Sequence, residues 1–379
     1  MTFPPLREEL RGLAPYGAPQ LSLEVAPVQL NTNENPYGPS EACVADIAAA
    51  AAEAARGLNR YPDREHLALR EALAAYLSRD VAPGQEPITA EQVWAANGSN
   101  EVMLQILQAF GGPGRTVVSF APTYSMYPEY ARDTHSRFVV GRRAEDFTLD
   151  VDAAVALVEA ERPSVVLLPS PNNPTGTALD PEAVGRLCDA LGEDGLLVVD
   201  EAYGEFRRAG TPSAVELLPT HRNLVVSRTM SKAFAGAGLR LGYLAADPAI
   251  CDAIRVVRLP YHLSAVSQAV ALAALRHREE LLGKVDDLRR ERDECVAWLR
   301  GRGLQVADSD ANFALFGRFA DRHAVWQRLL DEGVLVREVG PEGWLRVSIG
   351  TPEEMAAFRA AVDVVLEESG AREELRREP

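Results

Sequence analysis

Residues 195–203 read Gly195-Leu196-Leu197-Val198-Val199-Asp200-Glu201-Ala202-Tyr203. Four consecutive apolar residues that stop on a carboxylate have the pattern of a strand covered on both faces, and such strands belong to parallel sheets. The pattern recurs along the chain. Strands are expected at 92–96, 116–120, 137–140, 165–170, 196–200, 223–228 and 242–245, and helical periodicity fills many of the intervals, as at 101–110 and 181–191. Strands alternating with helices make an α/β fold, with a mostly parallel central sheet flanked by helices. Sheets of this kind bind ligands at the carboxyl ends of their strands, so the residues just after each apolar run carry the functional reading. Asp200 is the first of them. A carboxylate at a buried strand end needs a cation, and it reads as an N-cap, a metal ligand or the partner of a protonated pyridine nitrogen.

The chain contains two lysines, Lys232 and Lys284; its 39 basic residues are otherwise arginines. Lys284 lies in the charged stretch Leu281-Leu282-Gly283-Lys284-Val285-Asp286-Asp287 and reads as a solvated surface residue. Lys232 follows the run Leu224-Val225-Val226 in Ser227-Arg228-Thr229-Met230-Ser231-Lys232-Ala233-Phe234. A primary amine can lose its proton and form a Schiff base, whereas a guanidinium does neither. A structural salt bridge is the other reading of that position. Ser170-Pro171-Asn172-Asn173-Pro174-Thr175-Gly176 closes the strand expected at 165–170. Its prolines fix a sharp exit and leave Asn173 facing the crevice, where an amide can donate to a phenolic oxygen. Ala96-Asn97-Gly98-Ser99-Asn100-Glu101 joins a strand to a helix. Gly98 permits close backbone approach, while Ser99 and Asn100 stand where a helix start offers free N–H groups, which suits a phosphate or a simple N-cap. Arg240, in Ala237-Gly238-Leu239-Arg240-Leu241-Gly242-Tyr243, offers a fork that matches phosphate, and Thr229 and Ser231 add hydroxyls. Tyr124, in Ala121-Pro122-Thr123-Tyr124, stacks on a flat ring or packs in the core.

With 379 residues and 47% hydrophobic content, the chain can build one large domain and a smaller one. A formal net charge of −16 argues against nucleic acid or an anionic membrane as the main partner. Cys43, Cys188, Cys251 and Cys295 are scattered without a C-x-x-C pair, which fits a reducing cytoplasm and no metal site. The start, Met1-Thr2-Phe3-Pro4-Pro5-Leu6-Arg7-Glu8-Glu9, lacks the pattern of a signal peptide, and no apolar run approaches the ~20 residues that span a bilayer. Residues 1–35 read as a Pro-rich arm and 36–262 as the large domain. Residues 263–379 read as a small α+β domain, with a long helical stretch at 265–300, strands at 312–316 and 344–348, and a closing helix at 352–367.

An amine, a carboxylate, an amide donor, an aromatic ring and a phosphate cup together describe the binding site of one compound, pyridoxal 5′-phosphate (PLP). The chain resembles the fold-type I aminotransferases, and within them the histidinol-phosphate aminotransferases, particularly actinobacterial forms. The resemblance covers nearly the whole chain. It includes Pro15-Tyr16-Gly17-Ala18-Pro19, Leu30-Asn31-Thr32-Asn33-Glu34-Asn35-Pro36-Tyr37, Arg60-Tyr61-Pro62-Asp63, the motifs above, Leu259-Pro260-Tyr261-His262-Leu263-Ser264 and Gly343-Trp344-Leu345-Arg346-Val347-Ser348-Ile349-Gly350-Thr351. It implies that Lys232 holds the cofactor as a Schiff base and then moves the proton between Cα and C4′. Asp200 is implied to keep the pyridine nitrogen protonated, Asn173 and Tyr203 to bind the phenolic oxygen, and Tyr124 to stack on the ring. Gly98, Ser99, Asn100, Thr229, Ser231 and Arg240 would hold the phosphate, with Tyr61 reaching across from the second subunit of a homodimer. Tyr16, Asn33, Arg337 and Arg346 would bind the substrate. Arg337 can instead form a surface ion pair with Glu338 or Glu342.

Two positions depart from the family pattern. Asn100 stands where many relatives carry aspartate, and Gly236-Ala237-Gly238 is richer in glycine than usual. The implied reaction is transamination of L-histidinol phosphate with 2-oxoglutarate, glutamate being the product of the second half-reaction. An aromatic amino acid aminotransferase and a threonine-phosphate decarboxylase-like enzyme share nearly all of these motifs and remain as alternatives.

Overall fold

The structure is a computed structural model and describes residues 4–15, 17 and 21–368. The chain enters through a two-residue strand, β1 (Val28–Gln29), and two helices, α1 (Glu41–Ala55) and α2 (Leu67–Leu77). Strands then alternate with helices: β2 (Val93–Ala96), α3 (Ser99–Phe110), β3 (Thr116–Ala121), α4 (Tyr127–Asp133), β4 (Arg137–Arg142), α5 (Val151–Glu161), β5 (Val165–Pro169), α6 (Pro181–Leu191), β6 (Leu196–Asp200), β7 (Leu224–Thr229), β8 (Gly242–Ala246) and α7 (Pro248–Val257). Strands β2 to β8 form one sheet in the order β2-β8-β7-β6-β5-β3-β4. Neighbours from β4 through β7 are parallel, whereas β8 is antiparallel to both β7 and β2.

The apolar runs explain why this sheet is covered twice. Side chains alternate across a strand. Val166, Leu168, Leu197, Val199 and Val226 face one core with Val184 and Leu187 of α6. Val165, Leu167, Leu196, Val198 and Val225 face the opposite core with Val102 and Ile106 of α3 and Ile254 of α7. Each side chain of this size that is removed from water contributes about 1.5–3 kcal/mol. Because the central strands are parallel, their polar ends arrive at one edge. The register sets Pro169 beside Asp200, Asp200 beside Ser227, Thr229 beside Gly242, and Gly242 beside Ala96.

The remaining elements are α8 (Ala265–Arg276), α9 (Arg278–Gly301), β9 (Gln305–Val306), β10 (Phe313–Gly317), α10 (Arg322–Asp331), β11 (Val334–Leu335), β12 (Arg337–Glu338), β13 (Trp344–Ser348) and α11 (Pro352–Glu368). A four-stranded sheet, β12-β13-β10-β9, packs with α9, α10 and α11 around a separate core that includes Phe313, Phe316, Val347 and Phe358. The N-terminal arm is tied to it: β1 pairs in parallel with β11, Leu30 N donates to Leu335 O, and Leu30 O accepts from Ser348 N.

The helical stretch expected at 265–300 is two helices that meet at His277, where the backbone leaves helical geometry (φ −95°, ψ 15°). Beyond Leu281, which still joins the core of the large sheet, the two halves face different cores. Ala271, Ala274 and Leu275 of α8 belong to the core of the large sheet, where α8 lies along α1 and α2. Val285, Leu288, Cys295, Val296 and Leu299 of α9 belong to the core of the small sheet. Helical spacing is the same on both sides of the turn, so the sequence carries no mark of the change in partner. Among the described residues no helix is long and apolar enough to cross a membrane.

Candidate active site

The polar edge of the large sheet opens onto a cavity of about 270 Å³, closed on its far side by the N-terminal arm and the small sheet. Asp200, at the end of β6, lies in its wall and is 5% exposed. Its Oδ1 accepts from the Ala202 N–H and its Oδ2 from the Tyr127 hydroxyl, both at 3.2 Å. Burial raises its pKa to about 6 despite these donors, and the neighbouring Glu201 carboxylate pushes the same way. Glu201 points to the other face of the strand. Burial alone would raise its pKa too, but Arg207 and Arg228 hold it at about 2. Adjacent carboxylates are thus tuned apart by opposite surroundings.

Lys232 follows β7 and lines the same cavity as Asp200. Its Nζ donates to the Thr32 carbonyl at 3.3 Å and lies 5.8 Å from the centre of the Tyr203 ring. Burial lowers the amine to about 8, Arg346 and Arg240 push it further down, and Glu34 opposes them. Among the described residues no group of three His, Cys, Asp or Glu side chains is placed to hold a metal ion.

The start of α3 closes one end. Gly98 caps the helix with φ 86° and ψ 162°, a conformation open essentially to glycine alone. A Cβ there would lie 2.6 Å from Nη2 of Arg240, and a Cβ on Gly242 would lie 2.2 Å from the Ser99 nitrogen. Arg240 Nη1 donates to Ser231 Oγ at 3.3 Å, and Ser231 Oγ also accepts from Thr229 Oγ1 at 3.0 Å. The first N–H groups of a helix have no partner within it and carry its positive end. Ser99, Asn100, Thr229, Ser231 and Arg240 therefore surround a space suited to a phosphate.

The opposite end is built by the arm and the small sheet. Asn33 (Nδ2, 3.1 Å) and Asn173 (Nδ2, 3.3 Å) both donate to the Tyr203 hydroxyl. Asn33 is itself held by Ser348, whose Oγ accepts from its N–H at 2.8 Å and donates to its Oδ1 at 2.7 Å. Arg346 is 6% exposed; it donates to Asn173 Oδ1 at 2.6 Å and to the Asn31 carbonyl at 2.9 Å. Arg337 lies opposite Arg346 in the β12–β13 ladder and also lines the cavity, with Nη2 donating to the Gly17 carbonyl at 3.0 Å. Glu338, an alternative partner for Arg337, accepts from His323 at 3.0 Å.

Lys232, Ser99, Asn100, Tyr124, Asn173, Asp200, Tyr203, Thr229, Ser231 and Arg240 thus meet at one cavity with Asn33, Arg337 and Arg346, and Gly98 lies against Arg240. Tyr61 does not join them within the chain. It is 80% exposed and stacks on Tyr261, with ring centres 4.5 Å apart. Tyr16 lies outside the described residues. The sequence reading missed Tyr127, whose position in a helix resembles core packing, and the wall residues Thr32, Glu34, Thr123 and Ser125. It also missed the buried cluster of Glu201 with Arg207 and Arg228.

The residues present fit PLP: a depressed amine for its aldehyde, a buried carboxylate for its ring nitrogen, amide and phenol donors, a tyrosine ring and a glycine-lined anion cradle. The family described as aminotransferase class I and II matches residues 26–362. The histidinol-phosphate aminotransferase of Thermobifida fusca (strain YX) is 63% identical over 358 residues, covering 94% of each chain. Histidinol-phosphate aminotransferase 3 of Burkholderia lata is 58% identical over 94% of this chain and 95% of its own. Among solved structures, histidinol-phosphate aminotransferase from Sinorhizobium meliloti in complex with pyridoxal-5′-phosphate superposes with a TM-score of 0.80 at 25% identity, covering 91% of this chain and 92% of the other. The chain belongs to the class I and II aminotransferases, in the branch of the histidinol-phosphate aminotransferases.

Proposed function

We propose that this chain is a PLP-dependent transaminase that takes the amino group of L-histidinol phosphate in histidine biosynthesis and passes it to 2-oxoglutarate. The observation that carries the substrate reading is the pair Arg337 and Arg346. Like charges facing each other on neighbouring strands destabilise a sheet, and here both line the cavity that holds Lys232. A dianionic phosphate, or the carboxylate of glutamate or 2-oxoglutarate, offsets that repulsion and accepts from both forks. The 63% identity to a histidinol-phosphate aminotransferase supports the phosphate ester over the aromatic amino acids.

When bound, PLP supplies an aldehyde that condenses with amines and a ring that draws electron density from the substrate's Cα. Lys232, with its pKa near 8, is the amine that would hold the cofactor, and a freed Lys232 amine would serve as the base that moves the substrate's proton. Asp200 would pair with the ring nitrogen, Asn173 and Tyr203 would hold the phenolic oxygen, and Tyr124 would cover the ring. The cradle of Gly98, Ser99, Asn100, Thr229, Ser231 and Arg240 takes the cofactor phosphate. Asn33 and Tyr16 assist Arg337 and Arg346 with the substrate. In this reading residues 1–35 are the arm, 36–262 the large unit and 263–379 the small unit, and the described parts of the arm and the small unit border the site, with α8 packing back onto the large sheet. The exposed Tyr61, Val256 and Leu259 suit a contact with a second copy, through which Tyr61 completes the partner's phosphate site in a cytoplasmic homodimer.

A single half-reaction tests this. The PLP-loaded protein is mixed with L-histidinol phosphate without any keto acid, and the visible absorbance of the bound cofactor is followed. Fast conversion to the pyridoxamine form is expected. Faster conversion with phenylalanine would move the assignment to an aromatic aminotransferase, and carbon dioxide release from phosphothreonine would move it to a decarboxylase.

A further inference from the structure

One buried polar group reaches the cavity wall from behind, through Asp200. Tyr127, the first residue of α4, is 0% exposed, yet its hydroxyl lies 3.2 Å from Oδ2 of Asp200. Its ring is fixed by the core it shares with Met103, Tyr130 and Ala131, and it meets the Tyr124 ring edge to face, with centres 5.6 Å apart and planes at 89°. The other carboxylate oxygen of Asp200, Oδ1, accepts from the Ala202 N–H.

We propose that Tyr127 is a positioning residue: its hydroxyl fixes the Asp200 carboxylate and keeps it ionised for the cofactor's ring nitrogen. This rests on the pairing of Asp200 with that nitrogen proposed above. The chemistry follows from what faces the carboxylate. Its own strand end brings the Glu201 charge, which disfavours ionisation, and the Ala202 N–H, which favours it; α4 brings Tyr127; the flanking strands bring Pro169 and Ser227; and Lys232 lines the same cavity. Tyr127 is held well above the ordinary range of a phenol by burial and by Asp200 itself, so it remains a donor at any working pH. A donor that cannot lose its proton stabilises the charged form of its acceptor. It does so through a rigid ring, without adding a second charge that would compete with the cofactor for Asp200. The spacing explains how both tyrosines are aimed: Tyr124 precedes the helix and lines the cavity, and Tyr127, three residues on, lies one layer below it.

Tyr127→Phe removes the hydroxyl and keeps the ring, so packing against Tyr124 and the core is retained. The apoprotein of this variant is titrated with PLP from pH 6 to 9, reading absorbance and intrinsic fluorescence, beside the wild type and Asp200→Asn. A hydrogen bond to a charged group is worth tenfold or more in affinity, roughly. The expected result is a PLP affinity about tenfold weaker for Tyr127→Phe, with the loss growing as pH falls, because Asp200 then takes up a proton more readily. Wild-type affinity at every pH for Tyr127→Phe, beside a weakened Asp200→Asn, overturns the role of Tyr127 and leaves the Asp200 pairing intact. Wild-type affinity for Asp200→Asn overturns the pairing itself, and the inference with it.

Discussion

Lys232 combines two properties that a surface lysine lacks: an amine lowered to about 8 and a fixed acceptor in the Thr32 carbonyl. At pH 7 an amine of ordinary pKa is uncharged in roughly one molecule in three thousand, whereas one near 8 is uncharged in about a tenth. Capture of the PLP aldehyde by the apoprotein is therefore expected to accelerate with pH up to about 8 and to level off above it. Folding follows the same sign: the unfolded lysine keeps its proton to higher pH, so this group's burial penalty is lifted as pH rises through 8 toward 10.5. Lys232→Arg should bind PLP without the visible absorbance of a lysine-bound cofactor at any pH; its appearance in that variant would remove Lys232 from the reaction. This residue was legible because arginine had replaced lysine almost everywhere else. Tyr127 was not, because a tyrosine in a helix next to apolar residues reads as packing until the fold sets its hydroxyl beside Asp200.

At the scale of elements, the cavity depends on how the β2–α3 turn meets β8. The turn is pinned from outside: Glu101 Oε2 accepts from the Asn97 N–H at 2.6 Å and from its side-chain amide at 2.7 Å, and that amide also reaches the His262 carbonyl at 2.9 Å. From inside it is pinned by absence of side chains, since Gly98 lies against Arg240 and Gly242 against Ser99. Gly98→Ala is expected to strain the backbone by about 1–3 kcal/mol and to push the Arg240 fork away from the anion space. Two measurements check this: a lower thermal midpoint for the apoprotein, and a PLP affinity that falls further than the affinity for the phosphate-free cofactor analogue pyridoxal. Equal loss for both ligands would mean that the turn does not serve a phosphate. The strand–turn–helix pattern was readable from Gly98 and its neighbours, because a turn is a local property. The break at His277 was not, since what separates α8 from α9 is the identity of the sheet each one covers.

At the scale of the whole molecule, the cavity draws on the N-terminal arm, the polar edge of the large sheet and the small sheet, and the residue left outside it is the most informative. Tyr61 belongs to the motif set that implied phosphate binding, yet it is 80% exposed and stacks on Tyr261 beside the exposed Leu259. The isologous dimer proposed above would resolve the conflict, because each copy would supply the other with the same residue. The test uses two defective variants. Lys232→Arg lacks the amine, and Tyr61→Ala lacks the reaching tyrosine; each homodimer alone should be weak or inactive. When the two are unfolded together and refolded as a mixture, half of the dimers are hybrids. If Tyr61 acts across the interface, each hybrid contains one site with the wild-type Lys232 of one copy and the wild-type Tyr61 of the other. Activity should then return to roughly a quarter of the wild-type level. If Tyr61 acts within its own chain, every hybrid site lacks one of the two groups and mixing restores nothing. Full activity of Tyr61→Ala alone would show that the tyrosine pair serves only to cover that face.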